Sequence, residues 1–303
     1  LPQADVFLLQ EEGAYQNPKG VTCVKTHKRT IMKKSLYWFS ALALIVVIPS
    51  AYAYHTSNLT ELLLYFIVVG AAFAVSQLFP EVQKNPVVNK PAAELWVVLI
   101  TIALSAGLSV FRFMYKPDMA TMPLVPKLIL LLLVAGGVFA LAPFIYFKFF
   151  KKYTLEELGW RITGVPAATL IVLLFGISAW LFRPEAMQFS YILENEGWYA
   201  FITLGLFTAA LPEETMRFYT QTRIEATSGS FVAAWFGSAL LWALLHFPVF
   251  VSQSGNPVNA FMSVLALLPL GLLWGYLTKR FQSVIPAIVV HATNLWGLQN
   301  VFN

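Results

Sequence analysis

Charge is what this chain has least of. Asp, Glu, Lys and Arg make up 12% of its residues and hydrophobic residues 58%, against roughly 25% charged in an ordinary soluble domain. Folded in water, such a chain would expose more apolar surface than one core can hide, so lipid is the solvent for most of it. Cysteine is nearly absent: Cys23 stands alone, which excludes an intrachain disulfide and a cysteine-based metal site. No repeat of roughly 20 to 50 residues recurs and no Gly/Ser linker divides the chain, so a single membrane domain is the simplest count. Basic residues outnumber acidic ones by 20 to 15. The excess gathers in Lys25 to Lys34 and in short loops between apolar runs, the distribution a membrane topology requires and not that of a nucleic-acid groove.

Apolar runs, by contrast, are abundant. Stretches near 36–54, 60–80, 94–115, 124–149, 165–182, 197–219, 229–252, 259–278 and 282–299 each reach the length of about 20 residues that spans a bilayer. They predict an all-α, multi-pass membrane helical bundle of nine transmembrane helices, or eight if the first run is a cleaved signal. Lys33-Lys34, the apolar run and Ala51-Tyr52-Ala53 do imitate a secretory signal. An uncleaved first helix is the preferred reading, because the next apolar run follows within a few residues. Residues 1–31 are polar and read as a disordered or vector-derived tail, 32–153 as N-terminal membrane helices, and 154–303 as the part that carries the chemistry. Between the fourth and fifth runs, Thr154 followed by Glu157 is a capping-box pattern that predicts a short interfacial helix. Threading nine helices with the N-terminus inside puts sixteen Lys and Arg inside and four outside. That split favours an N-terminus inside a plasma or inner membrane.

Ionisable residues within apolar runs are costly and mark function. Three clusters stand out: Glu213-Glu214-Thr215-Met216-Arg217, Trp242 through His246, and His291-Ala292-Thr293-Asn294. On a helix, Arg217 can pair with either carboxylate, while Glu213 and Glu214 point roughly 100 degrees apart. Pro212 disturbs the turn back to Thr208, which would open the helix where the acids emerge. The plainer reading ends the helix at Pro212 and leaves the charges as a solvated terminus. Trp242 lies one turn before His246 and can set its ring; singly, His246 is as well read as a hydrogen-bonded core residue. His291 and Asn294 share a face, which also suits a polar clamp between helices. Together the clusters supply a general base and oxyanion donors, the minimum for water attack on an amide. Of the four histidines, these two alone lie within spans that follow the diglutamate.

The final third resembles the CAAX prenyl protease and bacteriocin-processing family of intramembrane glutamic endopeptidases. The resemblance rests on Glu213-Glu214 with Arg217, Trp242 with His246, and His291 with Asn294. It extends to Gly271-Leu272-Leu273-Trp274-Gly275-Tyr276-Leu277 leading to Ser283, and to Leu155-Glu156-Glu157-Leu158-Gly159. It covers about residues 154–299; the first 150 match only in being hydrophobic. Two spacings depart from the family pattern: two residues, not three, separate Glu214 from Arg217, and Asn294 follows His291 by three, not four.

The resemblance implies an intramembrane peptidase acting on a membrane-associated or lipidated peptide or protein, with the bilayer as its other partner. Glu213 or Glu214 would deprotonate the attacking water, His246 with His291 and Asn294 would stabilise the oxyanion, and Arg217 would orient the diglutamate. Glu213 is the favoured base, because Arg217 lies one full turn away. No cofactor is implied; Glu and two His could ligate zinc, but no His-Glu-x-x-His pair is present. The rival class is a non-catalytic membrane protein, either a transporter or an immunity or scaffold-type pseudoenzyme of the same family. A transporter would be expected to show internal symmetry, and the first four spans hold no paired acids or histidines.

Overall fold

The computed structural model describes residues 45–56, 58–83, 87–115, 123, 125–126, 140–182 and 201–293. The chain divides into two compact units, Leu1–Val46 and Val47–Asn303. The tail read over residues 1–31 lies outside the described residues. Everything below concerns the second unit.

That unit is all-helical, with no strand among the described residues. Helix α1 spans Leu59–Gln77 and α2 spans Pro91–Tyr115. A short α3, Ala142–Ile145, runs on as a π-helical stretch, Tyr146–Phe150, and α4 spans Val165–Phe182. A π-helix, α5 (Phe201–Ala210), passes directly into α6 (Leu211–Ser228). Helices α7 (Phe231–Leu245) and α8 (Phe247–Ser254) are separated by His246, and α9 (Pro257–Phe281) and α10 (Ile285–Thr293) follow. Among the described residues, four helical segments are long and apolar enough to cross a membrane: Leu59–Gln77, Pro91–Leu108, Phe231–Ser254 and Pro257–Phe281.

Helix α9 is the axis. Its apolar window is 72% buried, against about a third in the other three spans, so they face outward where it is enclosed. Asn256 starts α9 by accepting from the Val258 backbone N–H at 2.8 Å, with Pro257 at the first position. Two of its glycines let neighbours close in. A Cβ at Gly271 would lie 3.1 Å from the Trp242 ring and 3.3 Å from Arg217 Nη1, and one at Gly275 would lie 2.7 Å from Gln221 Oε1. Small residues four apart are how membrane helices bring backbones together. Pro269 removes a backbone donor from the middle of α9, and the Tyr65 hydroxyl of α1 donates to the Ala266 carbonyl in that loosened stretch at 2.7 Å.

Two local expectations change. The capping box forms, with the Thr154 N–H and hydroxyl donating to Glu157 Oε2 at 2.7 and 2.9 Å and the Glu157 N–H donating back to Thr154 Oγ1 at 3.2 Å. It caps a single turn, not a helix, because Gly159 takes φ 84°, where helical bonding stops. The span expected near 229–252 is broken at His246, where Pro248 sits in the first turn of α8 and cannot continue the ladder.

Candidate active site

The acids stand at a change of helix type. An α-helical approach would drive the Pro212 ring against the carbonyl four residues back; the chain arrives instead as the wider π-helix α5 and becomes α-helical from Leu211. The helix does not end at Pro212. Glu214 is wholly buried and Arg217 nearly so, which removes the reading of a solvated terminus.

Arg217 chooses Glu214. Its Nε donates to Glu214 Oε2 at 2.9 Å and its Nη2 to Oε1 at 3.1 Å, a bidentate pair across three residues. This corrects the reason given for preferring Glu213: the i,i+4 spacing does not seat Arg217 on it. The cause is a competing donor. Trp242 Nε1 on α7 donates to Glu213 Oε2 at 2.5 Å, drawing that carboxylate away, while His291 on α10 draws Glu214 in through Nδ1 at 2.7 Å from Oε1. The adjacent acids thus have opposite surroundings. Glu214 is sealed and spanned by a guanidinium and an imidazole; Glu213 is 19% exposed and faces both imidazoles.

Each imidazole is oriented through Nδ1. His246 Nδ1 lies 3.0 Å from the Trp242 carbonyl, which can only accept, so Nδ1 carries the hydrogen. Glu214, charged by its arginine partner, assigns the hydrogen on His291 Nδ1 in the same way. Both Nε2 atoms are then left facing Glu213 Oε2, at 3.9 Å from His246 and 3.8 Å from His291. Those separations are too long for direct hydrogen bonds. Three acceptors converge on one spot and need a shared hydrogen, from a water between them or from a proton passed among them. The arrangement can therefore take a proton from water on a carboxylate and return it through an imidazole.

Aromatic rings frame the group. Trp242 meets His246 edge-on at 4.7 Å between ring centroids, and the Arg217 guanidinium lies 4.3 Å from the Trp242 ring centre. Arg217 Nη1 is buried without a hydrogen-bond partner and lines a small cavity of about 10 Å³, room for one water-sized molecule, with Glu213, Thr220, Ser238 and Trp242 also in its wall. Among the described residues no set of three His, Cys, Asp or Glu is arranged to hold a metal ion.

The structure brings together Glu213, Glu214, Arg217, Trp242, His246 and His291; Asn294 lies outside the described residues. Two sets of side chains were missed in the sequence. Trp274 of α9 stacks on His291 with centroids 3.9 Å apart and planes 9° from parallel. It looks apolar in an apolar helix, and the one hint was its place between Gly271 and Gly275. The second set is a closed cluster one and a half turns along α6. Arg223 pairs with Glu94 of α2 through Nε and Nη2, both at 3.2 Å, and Tyr153 donates to Glu94 Oε1 at 2.8 Å; both charged residues are fully buried. A lone acid at the start of one apolar run was the available signal, since Arg223 lies in the gap between two others.

No curated protein and no solved structure matches the chain. Residues 194–296 match the family model described as type II CAAX prenyl endopeptidase Rce1-like. The match encloses the diglutamate, both histidines and Asn294, and stops short of the turn at Leu155–Gly159. That stretch, about a third of the chain, carries the whole cluster and is where the chain is similar to the type II CAAX prenyl endopeptidases.

Proposed function

We propose that this protein is an intramembrane endopeptidase that hydrolyses a peptide bond of a membrane-associated or lipidated substrate with a glutamate-activated water. One observation carries the reading: Glu213 Oε2 lies within 4 Å of the Nε2 atoms of both His246 and His291, while the Arg217 guanidinium is committed to Glu214. Glu213 is thus the carboxylate with a free face, and it acts as the base. It takes a proton from water, and the hydroxide adds to the scissile carbonyl. The proton taken by Glu213 moves on to His246 Nε2, whose N–H then donates to the oxyanion beside His291, and Asn294 joins it as the family pattern implies. From His246 Nε2 that same proton passes to the amide nitrogen as the C–N bond breaks, giving a carboxylate and an amine. Glu214 and Arg217 hold His291 in place and complete the charge balance.

The setting proposed for this chemistry is a multi-pass protein of eight or nine spans with its N-terminus inside. Where they are described, the apolar stretches of the sequence are helical over most of their length, and the division of basic residues, fourteen to four once the buried Arg217 and Arg223 are set aside, supports that orientation. The reaction as proposed uses no metal.

The deciding assay is cleavage of a library of membrane peptides, prenylated and unprenylated, by the purified full chain in liposomes, with and without chelator. Cleavage at the same rate in both arms is the expected result. Loss of cleavage with chelator, restored by added zinc, would replace the glutamate mechanism by a metal-dependent one.

A further inference from the structure

We propose that Trp274 is a positioning residue for His291, a role that rests on the peptidase reading above. The bond from His291 Nδ1 to Glu214 fixes one atom of the imidazole and leaves the plane of the ring free to turn about it. Trp274 supplies the missing constraint: its indole lies face to face with the imidazole at 3.9 Å and 9°, a separation at which a turn of either ring drives it into the other. With the plane set, Nε2 points at Glu213.

Core filling does not account for an indole here. Trp274 is 1% exposed, and its Nε1 is buried with no hydrogen-bond partner, a cost that phenylalanine or leucine would avoid. What indole adds is a broad face, and that face and its edges touch several members of the site. Beside His291, it meets Trp242 edge-on at 5.1 Å, and the Arg217 guanidinium lies 5.5 Å from its centre. Trp242 in turn lies edge-on to His291 at 6.0 Å, so the imidazole is bounded on a face and on a flank. Trp274 is thus a floor under Arg217, Trp242 and His291. Gly271 and Gly275 on either side of it keep α9 slim enough for Trp242, Arg217 and Gln221 to close over that floor.

The test compares Trp274→Phe, which keeps an aromatic face, with Trp274→Met, which fills space without one. The full chain in micelles is labelled at histidine Cε1; with four histidines in the chain, His291 is assigned by the signal lost in His291→Gln. The upfield ring-current shift of His291 should be present in the wild type and in Trp274→Phe and absent in Trp274→Met. On any peptide the wild type cleaves, Trp274→Met should lower kcat roughly 10- to 100-fold, the cost of a small misplacement of a reacting group, with KM nearly unchanged and Trp274→Phe recovering most of the rate. A His291 signal that stays at its wild-type upfield position in Trp274→Met, or equal losses of kcat in Phe and Met, overturns the proposal. If Trp274→Met does not fold, the wild type still decides, because the stack requires a nuclear Overhauser contact between the indole and the His291 ring, and its absence overturns the proposal. A wild type that cleaves nothing counts against the peptidase reading alone, since the spectra report the stack without turnover.

Discussion

Helix α6 carries two arginine–carboxylate pairs, and they behave differently. Arg223 with Glu94 is closed: the carboxylate receives Arg223, the Tyr153 hydroxyl and the Lys90 backbone N–H, and the guanidinium lies 4.3 Å from the Phe147 ring centre. Arg217 with Glu214 is open on one side: the pair holds an imidazole, and the neighbouring Glu213 keeps exposed surface and has Trp242 as its donor. Both pairs are buried and both contain a charge that apolar surroundings penalise. Burial and charge therefore do not separate structure from chemistry here. Unfilled acceptors do: each guanidinium keeps one nitrogen without a hydrogen bond, Nη2 of Arg223 and Nη1 of Arg217, but the closed pair has its carboxylate filled and ties α2 to α6, while the open one leaves acceptors facing a shared space.

The comparison breaks most visibly at the open pair. Replacing Glu213 and Glu214 together by Gln keeps size and hydrogen bonding but removes the proton acceptor, and should lower kcat by roughly 10² to 10⁴. His246→Ala in the same assay should lose roughly 10² to 10³ if its Nε2–H meets the oxyanion. Melting temperatures close to wild type are expected for His246→Ala, since its ring is 28% exposed. Cleavage that survives the double change excludes these acids as the base and erases the proposed difference between the two pairs.

At the closed pair the expected pattern is inverted. Glu94→Gln leaves Arg223 buried without a counter-charge, and unfolding should become easier by about 3–5 kcal/mol, read from denaturant unfolding in micelles. The kcat of the molecules that remain folded should match the wild type. A fall in kcat at unchanged stability would move Glu94 into the reaction and sink the division drawn here. This sharpens the reading that the first four spans hold no paired acids or histidines, since the lone acid Glu94 is the point where α2 is riveted to α6.

Much of this was legible because charge is so scarce. Among the described residues, four apolar stretches are helices long enough to cross a membrane, and two acids, an arginine and two histidines inside apolar runs could be singled out before any geometry was known. What could not be read was decided by partners distant in sequence. Spacing allowed Arg217 either acid; Trp242 and His291 settled the matter by pulling on different carboxylates. Glu94 opens one apolar run and Arg223 lies in the gap between two others, and nothing local announces that they meet. Trp274 is one of nine tryptophans in a chain with 25 phenylalanines, so an aromatic residue carried no signal of its own. The lost helix after Thr154 was readable in hindsight, because a glycine follows the capping box by too few residues for a second turn.

The smallest expected effect concerns the hydroxyl that completes the closed pair. Tyr153 lies in the connection between α3 and α4, and burial pushes its phenol up from the usual 10 to about 12; the Asn89 N–H that donates to it at 2.7 Å opposes this, and the Glu94 carboxylate that accepts from it adds to the rise. An acid whose proton is held more tightly in the folded state stabilises the fold fully below the unfolded value. That contribution is lost as pH rises from about 10 through about 12, because the unfolded chain releases the proton first. Tyr153→Phe removes both the hydrogen bond and the ionisation. It should cost about 1–3 kcal/mol at neutral pH, as expected for a bond to a charged acceptor, and should flatten the alkaline fall in melting temperature relative to the wild type. The other tyrosines and the lysines titrate in both proteins, so the difference between the two curves isolates Tyr153. Parallel curves across pH 10 to 12 would mean that the hydroxyl reaches water and that the pair at Glu94 is less closed than its geometry indicates.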